Sequence, residues 1–536
     1  VSPVGPARAA RPQGPARWLA GGLALALAGF HLYTAAWGVL SPLAQRSVHL
    51  VGLLLILFLV HRPSGAKGGR PVAADWLLFG LGAALAVYLL DALRPAEVLE
   101  RGIAGPTPAE VWAGCLLALL VLEGARRTVG LPVVAVSAAF LAYGFLGPWL
   151  PEAIAHKGYG PERLVSYLVW TTEGLLGIPV AVSATFVIIF ILFGALLDRL
   201  GAGGFFIDLA QALTGRVRGG PALTSVAASG MMGSISGSSV SNVVTTGAFT
   251  IPLMQRTGYT PLFAGAVEAV ASTGGQIMPP VMGAGAFVMA ELLGVSYARV
   301  AAAAALPAVL FFVSVGLMVY CQAGRQGLTP PPAAELPRLR AALAGGWHLL
   351  IPLAVLIHLL VVRQLSPMLA GLYAILALVA VASAAAVVRE RRLPWREVLA
   401  ALEQGVVTAA PVAMACAAAG LVIGVVSLTG LGVRLTQLVV ELSGGQLWLA
   451  GLMTMAACII LGMGLPTTAA YVITAVLGVP ALVDLGVAPL AAHMFIFYFA
   501  IISFITPPVA ISAYAASGVA GTGAMQTALL SFQLGL

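Results

Sequence analysis

Charge is scarce in this sequence. Of 536 residues, 27 are Lys or Arg and 19 are Asp or Glu, so charged side chains make up 9% against 60% hydrophobic. That ratio disfavours a soluble multidomain chain, a nucleic-acid-binding protein and a cytosolic enzyme, because too little polar surface exists to cover so much apolar volume. Cysteine is scarce as well. Cys115, Cys321, Cys416 and Cys458 lie far apart, inside or beside apolar segments, and no CxxC pair occurs. A disulfide scaffold, a metal ribbon and a dithiol redox site are therefore disfavoured. The seven His residues form no HExxH, and Ser239 and Ser241 have no neighbouring His or acid in sequence to activate them, so no enzyme reading gains support.

Long apolar runs are abundant. Crossing a hydrocarbon layer about 30 Å thick takes roughly 20 helical residues. Runs near 18–40, 48–60, 76–93, 111–122, 131–146 and 178–197 supply six candidate crossings. The basic residues between them set orientation. Arg8, Arg11 and Arg17, with no acid among them, place the N-terminus in the cytoplasm. Arg62, Lys67 and Arg70, then Arg126 and Arg127, then Arg199, Arg216 and Arg218 mark later cytoplasmic loops. The net charge of +8 reads as loop charge facing anionic lipid headgroups. No constellation of polar residues is expected at membrane depth in the first 150 residues, which read as scaffold.

Four segments break the pattern of simple spans. Ser229 to Asn242 is rich in Gly and Ser and is flanked by apolar stretches of half-span length, which predicts a re-entrant helical hairpin. Ser272-Thr273-Gly274-Gly275-Gln276-Ile277-Met278-Pro279-Pro280 interrupts the next apolar run; tandem prolines remove two donors and disfavour helix before them, so a broken helix is expected. The same grammar returns at Gly464-Leu465-Pro466-Thr467-Thr468 and at Thr506-Pro507-Pro508, 227 residues after Gly237 and 228 after Pro279. Five crossings fit between the two hairpins, near 261–293, 297–320, 347–362, 367–388 and 405–428. An odd number inverts the second copy. Arg434 is the last basic residue, so the orientation of that copy rests on crossing parity alone. The expected fold is thus an all-α integral membrane protein with inverted repeats, two re-entrant hairpins and two broken helices, the signature of a secondary transporter.

Unwound backbone at membrane depth needs a purpose. Carbonyls freed at Gly275, Pro279 and Pro507, with oxygens of Ser236, Ser238, Ser239, Ser241, Asn242, Gln276, Thr467, Thr468 and Thr506, suit a hard cation such as Na⁺ and a small anion. Half-helix N-termini beyond each tip favour a carboxylate. No Lys or Arg lies in either tip, so co-bound cations would offset the charge of a bound anion. Glu268 has two open roles, a buried structural carboxyl or a proton carrier. His493 reads as a packed histidine.

The stretch from Thr172-Glu173-Gly174-Leu175-Leu176-Gly177 through Ser236-Gly237-Ser238, Thr250-Ile251-Pro252-Leu253-Met254 and Ala271 to Ala284 resembles the large membrane subunit of tripartite ATP-independent periplasmic (TRAP) transporters, in the variant with small and large permease subunits fused. The resemblance implies an elevator-type transporter importing organic acids across the bacterial inner membrane. It also implies coupling usually to Na⁺ and delivery by a separate periplasmic binding protein. Substrate would sit at Ser238, Ser239, Gly275, Gln276, Thr467 and Thr468, and cations at Ser236, Ser241, Asn242, Pro279, Gly464, Thr506 and Pro507. The implied organisation is a cytoplasmic tail over 1–17, small-subunit-like scaffold helices over 18–150, a first repeat over 151–330, connecting scaffold helices over 331–404 and an inverted second repeat over 405–536. The family usually continues beyond the second break, so a longer chain is one expectation. An autonomous or proton-coupled carboxylate carrier and a pore-forming channel are the alternatives.

Overall fold

A computed structural model describes residues 14–61, 71–152, 154–332, 334, 336–390 and 393–536. Arg8 and Arg11, the basic loop of Arg62, Lys67 and Arg70, and Arg391 and Arg392 lie outside them. Among the described residues the chain is helical, with no strand, and eleven helices are long and apolar enough to cross a membrane. One of these, Tyr297–Arg325, carries Leu306, Val309, Leu310, Val313 and Leu317 exposed along one face. Such a stripe costs little only against lipid or another protein.

The chain divides into two compact units. The first comprises residues 1–191, 402–457 and 468–493. It opens with helices α1 (Pro15–Trp37), α2 (Pro42–Val60), α3 (Ala73–Ala92) and α4 (Pro108–Thr128). Helix α4 begins where Thr107 and Glu110 form a capping box and Pro108 occupies the first turn, which satisfies donors that would otherwise be orphaned. Two features depart from the expectation of a polar-free scaffold. Arg127, expected to mark a cytoplasmic loop, is buried and donates to Asp75 at 2.7 Å, joining α4 to α3. A chain of buried polar side chains also runs through this unit: His31 Nε2 lies 3.0 Å from His49 Nδ1, and His49 Nε2 lies 2.9 Å from Ser183 Oγ. Gln45 Nε2 donates to Thr34 Oγ1 and to the Ala184 carbonyl, both at 3.3 Å. Leaving such a group unpaired would cost about 1–3 kcal/mol; single polar residues in apolar runs gave no pattern to read. His493 is packed, its Nδ1 2.7 Å from the Tyr471 hydroxyl.

The second unit comprises residues 192–401, 458–467 and 494–536. Its first hairpin is built from α5 (Gly220–Ser236), α6 (Ser239–Thr245) and α7 (Gly247–Arg256). Helix α5 is longer than the half-span arm expected, at 17 residues. Its polar positions Ser225 and Ser229 find partners on neighbouring helices, so they do not interrupt it. The core of the unit is α8 (Pro261–Gly274), in which every residue from Phe263 to Gly274 is buried. It packs against α5 on one side and α9 (Ile511–Ala520) on another. Thr260 caps its start, its hydroxyl accepting from the Phe263 N–H at 3.3 Å, and Pro261 fills the first turn.

Candidate functional site

Three of the four breaks expected from the sequence fall in the second unit, and the fourth, Gly464 to Thr468, does so as far as Thr467. Helix α5 ends because Gly237 takes φ +61°, a left-handed conformation open to glycine. A second constraint acts there. A Cβ on Gly237 would stand 2.3 Å from the Met282 carbonyl oxygen, so the hairpin tip rests directly on the chain after the first break. Ser238 then caps α6, its hydroxyl accepting from the Ser241 N–H at 3.4 Å.

The two broken helices share local geometry. Gly275–Ile277 is a 3-10 turn that leads into extended Met278, and Ser503–Ile505 is a 3-10 turn that leads into extended Thr506. Each is followed by a Pro-Pro pair with a cis bond, Pro279-Pro280 and Pro507-Pro508. A tyrosine hydroxyl covers each pair: Tyr297 donates to the Pro280 carbonyl at 3.1 Å, and Tyr514 donates to that of Pro508. Gly464, like Gly237, has positive φ, at +76°.

These pieces meet through a short list of contacts. The Val281 N–H donates to the Ser234 carbonyl at 2.9 Å, and the Gly283 N–H to the Gln276 carbonyl at 2.7 Å. Gly233 and Gly275 bring two backbones together, since a Cβ on either would meet the other's Cα at 2.6–2.7 Å. Thr467 donates to Gln276 Oε1 at 2.9 Å, linking the second tip to the first break. Ser512 on α9 donates to Ser239 Oγ at 2.8 Å.

The remaining expected residues take these places. Asn242 is buried and its Nδ2 donates to the Ser229 carbonyl at 2.8 Å, which ties α6 to α5 and leaves Oδ1 as the acceptor end. Thr506 is buried and donates to the Ile502 carbonyl at 2.8 Å, keeping its lone pairs. Ser236, Pro279 and Pro507 are half-buried, Gly464 is buried and Ser241 is exposed. Thr468 is buried near the start of helix Thr467–Asp484 and belongs to the first unit.

The sequence singles out Glu268 but not the hydroxyls gathered around it. Glu268, fully buried at the centre of α8, accepts five hydroxyl hydrogen bonds. Ser225 and Thr250 reach Oε2 at 2.6 and 2.5 Å, and Ser229, Thr246 and Ser272 reach Oε1 at 2.7, 2.6 and 2.9 Å. The signal was present as three pairs spaced by four: 225 with 229, 246 with 250, and 268 with 272. That spacing puts both members on one face of a helix.

A sequence model of the family described as "Tripartite ATP-independent periplasmic transporter, DctM component" matches residues 116–533. The chain is 28% identical over 336 residues to the C4-dicarboxylate TRAP transporter large permease protein DctM of Pseudomonas aeruginosa, covering 62% of this chain and 76% of that one. It is 34% identical over 91 residues to the uncharacterized protein YgiK of Salmonella typhimurium, covering 17% and 21%. It is 36% identical over 84 residues to the isethionate TRAP transporter permease protein DctMQ of Oleidesulfovibrio alaskensis, covering 15% and 13%. In these last two the match spans about a fifth of the relative or less. Together with eleven helices of spanning length, these likenesses make the protein a multi-pass inner-membrane permease. The family match takes in well over half of the sequence and all four breaks, and the chain belongs to the DctM component family of tripartite ATP-independent periplasmic transporters.

Proposed function

We propose that this permease imports an organic acid, received from a periplasmic binding protein and driven by co-import of a cation, with Na⁺ as the coupling ion at the hairpin tips. One observation carries the reading. The first tip, the second tip as far as Thr467 and both Pro-Pro breaks belong to one compact unit, and Thr467 bridges the second tip to Gln276 at the first break. The tips carry oxygen donors and no Lys or Arg side chain, so an anion held there would gain from a cation held beside it. Substrate would lie against Ser238, Ser239, Gly275, Gln276 and Thr467. Na⁺ would be held by oxygens of Ser236, Ser241, Asn242, Pro279, Gly464, Thr506 and Pro507.

The coupling has an energetic reason. Importing one negative charge against an inside-negative potential costs about 2.3 kcal/mol per 100 mV, and two or more co-imported Na⁺ reverse that sign. Movement of the second unit as a body, in the manner of an elevator, would carry the tips across with their cargo, and inversion of the second repeat supplies the matching exit. The family match begins at residue 116 and leaves α1, α2 and α3 outside it, which supports reading the opening helices as a fused small subunit.

Purified chain in liposomes should accumulate an organic acid when its binding protein and an inward Na⁺ gradient are both supplied. Equal uptake without either removes the reading. Asn242→Ala should raise the Na⁺ concentration needed for half-maximal uptake; an unchanged value returns Asn242 to the packing of its hairpin.

A further inference from the structure

One exposed face of the helix Tyr297–Arg325 ends on a charge. Leu306, Leu310, Val313, Leu317 and Tyr320 follow one another at intervals of four, three, four and three, the spacing that stacks side chains along one side of a helix. All five are exposed, at 66, 59, 51, 59 and 42%. The next position on that face is Gly324. It has no side chain, and Arg218, in the turn before α5, takes the space: a Cβ on Gly324 would stand 2.6 Å from Arg218 Nη1. The same guanidinium lies over the Tyr320 ring, 5.3 Å from its centroid. Arg325 follows Gly324 in the last turn of the helix and is exposed.

Depth gives this arrangement a meaning. Tyr320 lies about nine residues beyond the middle of the Leu306–Leu317 stripe, about 13 Å at 1.5 Å per residue. Half of a hydrocarbon layer is about 15 Å. A tyrosine at that distance stands at headgroup level, and a guanidinium laid on its ring is at the depth of the phosphates.

The protein itself does not neutralise the charge. Among the described residues neither Arg218 nor Arg325 forms an ion pair or a side-chain hydrogen bond. No acid occurs between Asp208 and Glu268 or between Glu291 and Glu335, and Glu335 lies outside the described residues. Arg216 and Arg338, both exposed, add to the same end, where a Cβ on Gly215 would meet the Leu336 side chain at 2.7 Å. Guanidinium groups present planar sets of donors matched to phosphate oxygens. A soluble anion would use the arginines and leave the apolar stripe uncovered. A phospholipid of net negative charge satisfies both features with one molecule.

We propose that Arg218, seated over Tyr320 and against Gly324, binds together with Arg325 the phosphate of an anionic phospholipid whose acyl chain lies along Leu306, Leu310, Val313 and Leu317. The site is contained in the second unit and shares no residue with those proposed for Na⁺ or substrate, so it stands or falls apart from the transport reading.

Native mass spectrometry of the purified full chain, stripped of lipid and titrated with phosphatidylglycerol or with phosphatidylcholine of the same acyl chains, reads the site directly. Phosphatidylglycerol should bind more tightly. Arg218→Gln and Arg325→Gln should each lower its affinity about 5-fold and leave that of phosphatidylcholine unchanged. Arg299, exposed at the opposite end of the same helix and without an ion pair among the described residues, is the control, and Arg299→Gln should leave the preference intact. Equal affinity for the two lipids, an unmoved phosphatidylglycerol affinity in Arg218→Gln, or the same loss in Arg299→Gln overturns the proposal. Displacement of phosphatidylglycerol by inorganic phosphate at equal concentration also overturns it, because the arginines would then serve a soluble anion.

Discussion

Replacing Gly237 by alanine tests whether the hairpin tip is pinned by the chain after the first break. Two costs fall on this position. Its φ of +61° penalises any Cβ by about 1–2 kcal/mol. The new methyl would also stand 2.3 Å from the Met282 carbonyl oxygen, and backbone at that distance must move, at about 1–3 kcal/mol. Gly294 supplies the control. It lies in the same unit, has nearly the same φ, +62°, and a Cβ added there would meet nothing within 4 Å. Both substitutions narrow the unfolded ensemble alike, so that contribution cancels. Gly237→Ala should therefore lose about 1–3 kcal/mol more than Gly294→Ala, read as the difference in unfolding free energy under one detergent condition. Equal losses would refute the contact, and with it the seating of the tip on Met282.

The link between the second tip and the first break should appear as an interaction energy. Thr467→Val and Gln276→Leu, measured singly and together, should couple by about 1 kcal/mol in unfolding free energy; additive losses would mean the 2.9 Å hydrogen bond contributes nothing. In the first unit, Arg127→Met alone should cost about 3–5 kcal/mol by leaving the Asp75 carboxylate buried without its charge partner, and adding Asp75→Leu should recover a large part of the loss in thermal unfolding. His61, just beyond α2, has its pKa lowered from 6.5 to about 4 by burial first and then by the charge of Arg127. The folded state prefers the neutral ring, so this contribution to stability is whole above pH 6.5 and is lost as pH falls toward 4. His61→Gln should flatten that acid-side loss in a melting series, and an unchanged slope would assign it to other groups.

How far the sequence discloses this protein depends on whether a feature is periodic or pairwise. Apolar runs are periodic, and the helices Pro15–Trp37, Pro42–Val60, Ile178–Arg199 and Pro367–Glu390 stand where hydropathy places them. Tips and breaks were legible because Gly and Pro act locally: Gly237 and Gly464 need positive φ, and tandem prolines stop a helix wherever they fall. Partners of buried polar groups act across the fold, so Arg127 read as loop charge until its neighbour Asp75, 52 residues away, was in place. Glu268 lies between these cases. Each of its three helices announces a polar face through spacing by four, but only packing shows that the three faces meet. The Na⁺ ligands proposed at Pro279 and Pro507 sit where a Pro-Pro pair stops the helix, so they were legible from a local signal that needs no knowledge of the packing.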